Sequence, residues 1–339
     1  MSRYNVAVVG AAGLVGTQIL KVMAERRFPL GELCLLATTR SAGRRIPFNG
    51  RELVVQETTV NSFDDIDIAF FCASKSASRE LAPVAVSKGA VVIDKSNAFR
   101  MDPDVPLAVP EVNPRAIARH KGIVASPNCS TIQMVVALKP LHDAARIKRI
   151  VVSTYQAVSG TGRDALVELE DQSKEVLEGK EVTRSVYPHQ IAFNVIPHID
   201  AFDINGYSGE EMKMVRETQK IFEDESISIS PTTVRVPVYM GHAESIMIET
   251  EKKLSAEAAR DILRDAPGVV VVDDPGNGEY PMPIDCAGRD EVFVGRVRED
   301  LFCEKGLLLW VVADNLRKGA ATNAVQIAEY LIQNDLLAR

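Results

Sequence analysis

One feature restricts the fold of this chain more than any other: a glycine-rich turn set between a short apolar strand and an amphipathic helix. Val6-Ala7-Val8-Val9 is an unbroken apolar run, Gly10-Ala11-Ala12-Gly13-Leu14-Val15-Gly16 follows it, and Leu14, Val15, Ile19, Val22 and Met23 then recur at helical spacing. Further short apolar runs stand at 33–38, 66–72, 90–93 and 123–125, separated by helical or irregular segments. Strands with no polar alternation need cover on both faces. Crossover-linked parallel sheets provide it, so the first third predicts an α/β, Rossmann-type sheet.

After about residue 148 the pattern changes. Strand-like stretches at 150–155, 232–239, 245–250, 269–272, 291–297 and 307–313 carry polar interruptions, and helical patterns occupy 164–178 and 210–222. Such strands predict a mixed or antiparallel sheet with one exposed or interface face. Ala324, Ile327, Ala328, Leu331 and Ile332 then repeat at helical spacing. With 339 residues and roughly 100–200 residues per domain, two domains are expected. The first spans 1–129 and is completed by a C-terminal helix at 320–339; the second, of α+β type with a mixed sheet, spans 130–319.

The glycine turn has a chemical use. Glycines allow a tight turn and close backbone approach, and the following helix start offers N–H groups and a positive dipole end to a pyrophosphate. Gly10, Ala12, Gly13, Leu14 and Val15 are therefore candidate contacts to a dinucleotide. Their G-x-x-G-x-x-G spacing is a loose form of the usual fingerprint. An NAD site places an acidic residue at the end of the second strand. Here that strand runs into Ala37-Thr38-Thr39-Arg40-Ser41, where Arg40 and Ser41 suit a 2′-phosphate and predict NADP.

Charge excludes other classes. Lys and Arg number 39 against 46 Asp and Glu, a net charge of −7, which argues against general nucleic-acid binding. No apolar run reaches the ~18 residues that a membrane span needs. The five cysteines, Cys34, Cys72, Cys129, Cys286 and Cys303, are scattered and form no C-x-x-C pair, so neither a disulfide framework nor a metal site is indicated. A reducing, cytoplasmic setting is expected, with each cysteine either a small buried hydrophobe or a reactive thiol.

Cys129 alone has a reactive context. Ser126-Pro127-Asn128-Cys129-Ser130-Thr131 follows a short apolar strand and precedes the helical run 132–138. A helix start favours thiolate over thiol, as a nucleophile requires. Ser208-Gly209-Glu210-Glu211 reads as a capping box that begins a second helix and puts Glu210 and Lys213 on one face.

Ser-Pro-Asn-Cys-Ser-Thr at 126–131, Val158-Ser159-Gly160-Thr161-Gly162, Ser96-Asn97-Ala98-Phe99-Arg100, and the stretch from Arg235 through Val236-Pro237-Val238-Tyr239-Met240-Gly241 to His242 together resemble the aspartate-semialdehyde dehydrogenase family. The resemblance runs in order from the glycine turn to the final helix. It implies NADPH-linked reductive dephosphorylation of L-aspartyl 4-phosphate to L-aspartate 4-semialdehyde, a step towards lysine, methionine, threonine, isoleucine and diaminopimelate, by a homo-oligomer, a homodimer or a tetramer.

On this resemblance Cys129 is the nucleophile and His242 the acid/base. Gln156, Glu210 and Arg235 bind substrate, Arg100 and Lys213 bind phosphate, and Ser159, Gly160 and Asn315 add cofactor contacts. Arg235 interrupts the alternation of Val234, Val236 and Val238, so its side chain faces away from theirs. Three departures from the family pattern fall near the cofactor: Ala12 in place of threonine, Ala73-Ser74-Lys75-Ser76 in place of a glycine-containing segment, and Lys95 in place of asparagine.

Overall fold

The computed structural model describes residues 3–337. The described chain divides into two compact units, one of residues 3–128 with 320–337 and one of residues 129–319, so Cys129 opens the second.

The first unit contains β1 (Tyr4–Val9), α1 (Leu14–Glu25), β2 (Leu30–Ala37), β3 (Arg45–Phe48), β4 (Arg51–Val54), β5 (Gln56–Glu57), β6 (Ile68–Phe71), α2 (Lys75–Ser87), β7 (Val91–Asp94), α3 (Pro114–Ile117) and β8 (Ile123–Ala125). Six strands form one sheet in the order β5-β2-β1-β6-β7-β8, every pair parallel. β3 and β4 stand apart as an antiparallel hairpin. With the hairpin omitted this is the doubly wound order 3-2-1-4-5-6, whose direction reverses beside β1.

Successive side chains of β1 serve two different cores. Val6 and Val8 pack with Ile19, Val22 and Met23 of α1 and with Ala324, Ile327 and Leu331 of the C-terminal helix Thr322–Gln333. Ala7 and Val9 pack on the opposite face with Phe63, Phe71, Ala82 and Ala85. Each large aliphatic side chain buried this way contributes roughly 1.5–3 kcal/mol relative to exposure. This two-sided demand explains the unbroken apolar runs.

The second unit contains α4 (Cys129–Ala145), β9 (Ile147–Gln156), α5 (Arg163–Leu177), α6 (Gly209–Phe222), β10 (Ser228–Arg235), β11 (His242–Thr250), α7 (Ala256–Arg264), β12 (Val269–Val271), α8 (Pro283–Cys286), β13 (Val292–Glu299) and β14 (Gly306–Ala313). Its sheet, in the order β10-β9-β11-β14-β13-β12, is mixed: the two edge pairs are parallel and the three central pairs antiparallel. On one face Val151, Met247 and Leu308 line up in one cross-strand row, and Ser153, Ser245 and Trp310 in the next. Val151 and Tyr155 remain exposed there, with the Tyr155 and Trp310 rings 5.5 Å apart. That face matches the expected exposed or interface surface.

One expectation needs correction and one element went unread. The strand expected at 232–239 runs instead over Ser228–Arg235. Pro237 has no N–H to give a ladder, and the Val238 N–H turns back to the Val236 carbonyl at 2.8 Å. The hairpin β3–β4 is an element that apolar runs do not disclose, since its strands are half polar. Its signal is Asn49-Gly50, both residues at positive φ, as a two-residue hairpin turn demands.

Candidate active site

At the carboxyl end of the first unit's sheet, the glycine turn is held by backbone. The Gly10 and Ala11 N–H groups both donate to the Leu36 carbonyl, at 2.8 and 3.1 Å. Gly10 has φ +81°, and a Cβ there would lie 2.4 Å from the Cys72 carbonyl oxygen. A Cβ on Gly16 would lie 2.3 Å from the Gly10 oxygen. Gly13 caps α1 without any side-chain hydrogen bond, which leaves the N–H groups of the first turn, from Leu14 and Val15 onward, open to a ligand. Glycine is required at 10 and 16, and the cradle fits a pyrophosphate.

Beyond β2, Thr39-Arg40-Ser41 form one tight helical turn. Glu57, brought alongside by the β2–β5 pairing, accepts from the Thr39 hydroxyl at 2.5 Å. An acidic group therefore does stand near the end of the second strand, although it comes from a neighbouring strand. Reading along the chain could not place it there.

At the end of β7, the buried Asp94 carboxylate accepts from Ser78 Oγ (2.9 Å) and from the Ser96 N–H and Oγ (3.0 and 2.8 Å). Lys95 Nζ donates to the Pro127 carbonyl at 2.9 Å, which ties this loop to the segment leading into Cys129. Arg100 is largely buried and donates to the Lys95 carbonyl at 2.9 Å.

In the second unit Cys129 is the first residue of the 17-residue α4 and is half-buried. A π-helical turn, Arg317–Ala321, passes beside it. A Cβ on Gly319 would stand 2.9 Å from Cys129 Cβ, so only glycine permits this approach. By contrast, burial pushes the Cys72 and Cys286 thiols up to about 12 and raises Cys34 as well. Burial thus favours the thiol over the thiolate at all three.

Gln156, Glu210 and Lys213 form a chain of contacts. Gln156 Nε2 donates to Glu210 Oε1 at 3.3 Å, and Lys213 Nζ donates to Glu210 Oε2 at 3.1 Å and to Asp200 Oδ2 at 2.9 Å. The Ser208–Glu211 capping box fixes the start of α6, so that Glu210 points into the protein. Burial works against the Lys213 charge, but the Glu210 and Asp200 carboxylates outweigh it and hold the ammonium above its ordinary value. Sequence reading does not reach Asp200, which approaches only through the loop before α6.

Arg235 and His242 meet over Gly160. A Cβ on that glycine would lie 2.9 Å from Arg235 Nη1 and 3.3 Å from His242 Nε2. Arg235 Nη1 donates to the Ala157 carbonyl at 2.7 Å, while its Nε is buried with no partner among the described residues. Beside this pair, Asn315 Oδ1 accepts from the Gly241 N–H at 3.0 Å, and its Nδ2 donates to Ser159 Oγ at 3.0 Å. Ser159, Gly160 and Asn315 thus gather with His242 in one unit.

His242 is fully buried. Burial first, and the Arg235 guanidinium second, push its pKa well below the ordinary imidazole range, against a smaller upward pull from the Gly241 carbonyl. The ring is neutral. Its Nδ1 accepts from the Ala157 N–H at 3.0 Å, so the single ring proton sits on Nε2. Nε2 itself has no partner among the described residues and is presented as a donor.

Comparison with known proteins agrees with both units. Residues 5–120 match the family model described as semialdehyde dehydrogenase, NAD binding domain, and residues 138–318 match semialdehyde dehydrogenase, dimerisation domain. These two models define the class as a semialdehyde dehydrogenase with a pyridine-nucleotide-binding domain followed by a domain of the dimerisation type. An aspartate-semialdehyde dehydrogenase of Aquifex aeolicus is 59% identical over 338 residues, 98% of this chain and 99% of that protein. The crystal structure of aspartate semialdehyde dehydrogenase II from Vibrio cholerae complexed with ASA superposes with TM-score 0.96 at 49% identity, covering 98% and 99% of the two chains. The Candida albicans enzyme with NADP superposes at 0.79 with 26% identity, covering 99% and 100%. The chain belongs to the aspartate-semialdehyde dehydrogenase family, oxidoreductases of amino-acid biosynthesis.

Proposed function

We propose that the chain catalyses the reversible, NADPH-dependent reductive dephosphorylation of L-aspartyl 4-phosphate to L-aspartate 4-semialdehyde through a thioester on Cys129. The observation that carries this reading is the meeting of Arg235 and His242 over Gly160, in the unit that Cys129 opens. A guanidinium with unused donors suits the substrate α-carboxylate, and Glu210 beside Gln156 suits its α-amino group.

The dipole and N–H groups at the start of α4 stabilise the Cys129 thiolate. The sulfur attacks the acyl carbon, the C–O bond to phosphate breaks, and Arg100 and Lys213, assigned by family resemblance, hold the departing phosphate. Reduced NADP, when bound, is the hydride source. Once the thioester carbon carries hydride, the oxyanion collapses to the aldehyde and the C–S bond breaks, returning its electron pair to Cys129. The cycle consumes one proton overall. In this direction His242 donates a hydrogen bond from Nε2 to whichever of sulfur or oxygen holds the negative charge, in line with its tautomer.

The cradle of Gly10, Ala12, Gly13, Leu14 and Val15 supports a dinucleotide there, and Arg40 with Ser41 supports the 2′-phosphate of NADP. Ser159, Gly160 and Asn315 are further cofactor contacts. The sheet face that carries Val151, Met247 and Leu308, with Tyr155 and Trp310 beside them, is the surface a second copy would cover. Scattered thiols favour a reducing, cytoplasmic setting.

The purified protein is expected to reduce NADP with aspartate semialdehyde only when phosphate is present, and not with the N-acetylglutamate analogue. Cys129→Ser is expected to lower turnover by about 10⁴-fold or more. Parent-level turnover in that variant would refute the covalent route.

A further inference from the structure

We propose that Glu244 is a positioning residue of this site: its carboxyl proton bonds Gln133 Oε1, and the Gln133 amide in turn holds the main chain of His242 against the helix that Cys129 begins. The inference rests on the roles given above to Cys129 and His242.

Glu244 lies two residues after His242 on β11, so both side chains leave the same face of the sheet. It is completely buried. Gln133, one helical turn after Cys129 on α4, is buried as well, and its Nε2 donates to the His242 carbonyl at 3.3 Å. The Gln133 amide also lies beside the Glu244 carboxyl.

Among the described residues, Gln133 Oε1 and the two carboxyl oxygens of Glu244 are three buried oxygens with no partner within hydrogen-bond geometry, although the Gln133 amide stands near enough to act on the carboxyl. If Glu244 were ionised, the Gln133 amide could give it one N–H at most, and Gln133 Oε1 would still lack a donor. A carbonyl can only accept, so the bond to His242 fixes the amide with its nitrogen towards that carbonyl and its oxygen available. One proton on Glu244 converts an orphan acceptor into the donor that Gln133 Oε1 lacks.

The surroundings favour that proton. Burial pushes the Glu244 carboxyl well above the ordinary carboxylate range, and the Gln133 amide offsets this only in part. Its cross-strand neighbours on β9 and β14 are Thr154 and Val311, both uncharged. The His242 ring on its own strand is neutral, and no ion pair among the described residues reaches Glu244. An unpaired buried carboxylate would be far costlier than the neutral acid.

The geometry gives Glu244 an effect at a distance. His242 receives an N–H at Nδ1 from Ala157 and is anchored through its carbonyl by Gln133. Loss of the second anchor frees the end of β11 relative to α4, and small misplacements of reacting groups cost about a hundredfold in rate.

The test compares Glu244→Gln, Glu244→Leu and Gln133→Leu in the full-length protein. Glu244→Gln keeps a neutral donor and is expected to retain kcat within about threefold, with an unaltered pH profile of kcat/KM. Glu244→Leu and Gln133→Leu are each expected to lose about a hundredfold in kcat with KM little changed, and the double variant to be no worse than either. Infrared difference spectra should show a protonated-carboxyl band, present from pH 6 to pH 9 and absent in Glu244→Gln. A shifted pH limb in Glu244→Gln, absence of that band, or parental kcat in Glu244→Leu would each overturn the proposal. Should Glu244→Leu not fold, the Glu244→Gln profile and the band still decide. Turnover surviving in Cys129→Ser would instead remove the underlying reading, and the band would remain as evidence about Glu244 alone.

Discussion

The two units prepare their functional edges from different materials. In the first, the work falls to backbone: glycines that admit no Cβ, a bare helix start, and main-chain bonds from Gly10 and Ala11 to Leu36. In the second it falls to buried polar side chains, Gln156, Glu210, Arg235 and His242, none more than 5% exposed. A backbone cradle recognises what all dinucleotides share. A constellation of side chains recognises one substrate and pays for it with desolvation, which the contacts among its members offset.

Substitutions should separate the two designs. Arg235→Leu removes a buried guanidinium whose charge-assisted bonds are worth about 1.5–3 kcal/mol each, so kcat/KM for aspartate semialdehyde should fall by about 10³-fold. Nucleotide affinity, measured by fluorescence titration, should stay at the parent value; a parallel loss would break the division of labour. Gly10→Ala should do the opposite. Its Cβ would overlap the Cys72 carbonyl at 2.4 Å in a left-handed backbone, costing about 1–3 kcal/mol of stability and weakening nucleotide binding about thirtyfold. The rate of Cys129 alkylation should not change. Arg40→Ala should have the smallest effect, lowering kcat/KM with NADP by about tenfold while leaving NAD unaffected. An equal loss with both nucleotides would place the 2′-phosphate elsewhere, and Glu57 beside Thr39 would then be the group to examine.

The same contrast explains what could be read in the sequence. Parallel strands buried on both faces declare themselves as unbroken apolar runs, and β1, β6, β7 and β8 stand where those runs are. The start of α6 was readable because its capping chemistry is local, within Ser208–Glu211. Cys129 was readable because helix starts are also local. Glu57 and Asp200 were not, because they reach Thr39 and Lys213 only through sheet pairing and a loop. Glu244 lies just before the stretch expected as a strand at 245–250 and belongs to no motif. Only its burial, with oxygens left unmatched, distinguishes it.

The C-terminal helix has a consequence for how the molecule comes into being. Ala324, Ile327 and Leu331 fill the same core as Val6 and Val8, yet the whole of 129–319 is synthesised between them. During translation the second unit is contiguous and complete while the first still lacks part of its interior. The nucleotide-binding core therefore closes last, after the ribosome has released a segment more than 300 residues downstream of β1.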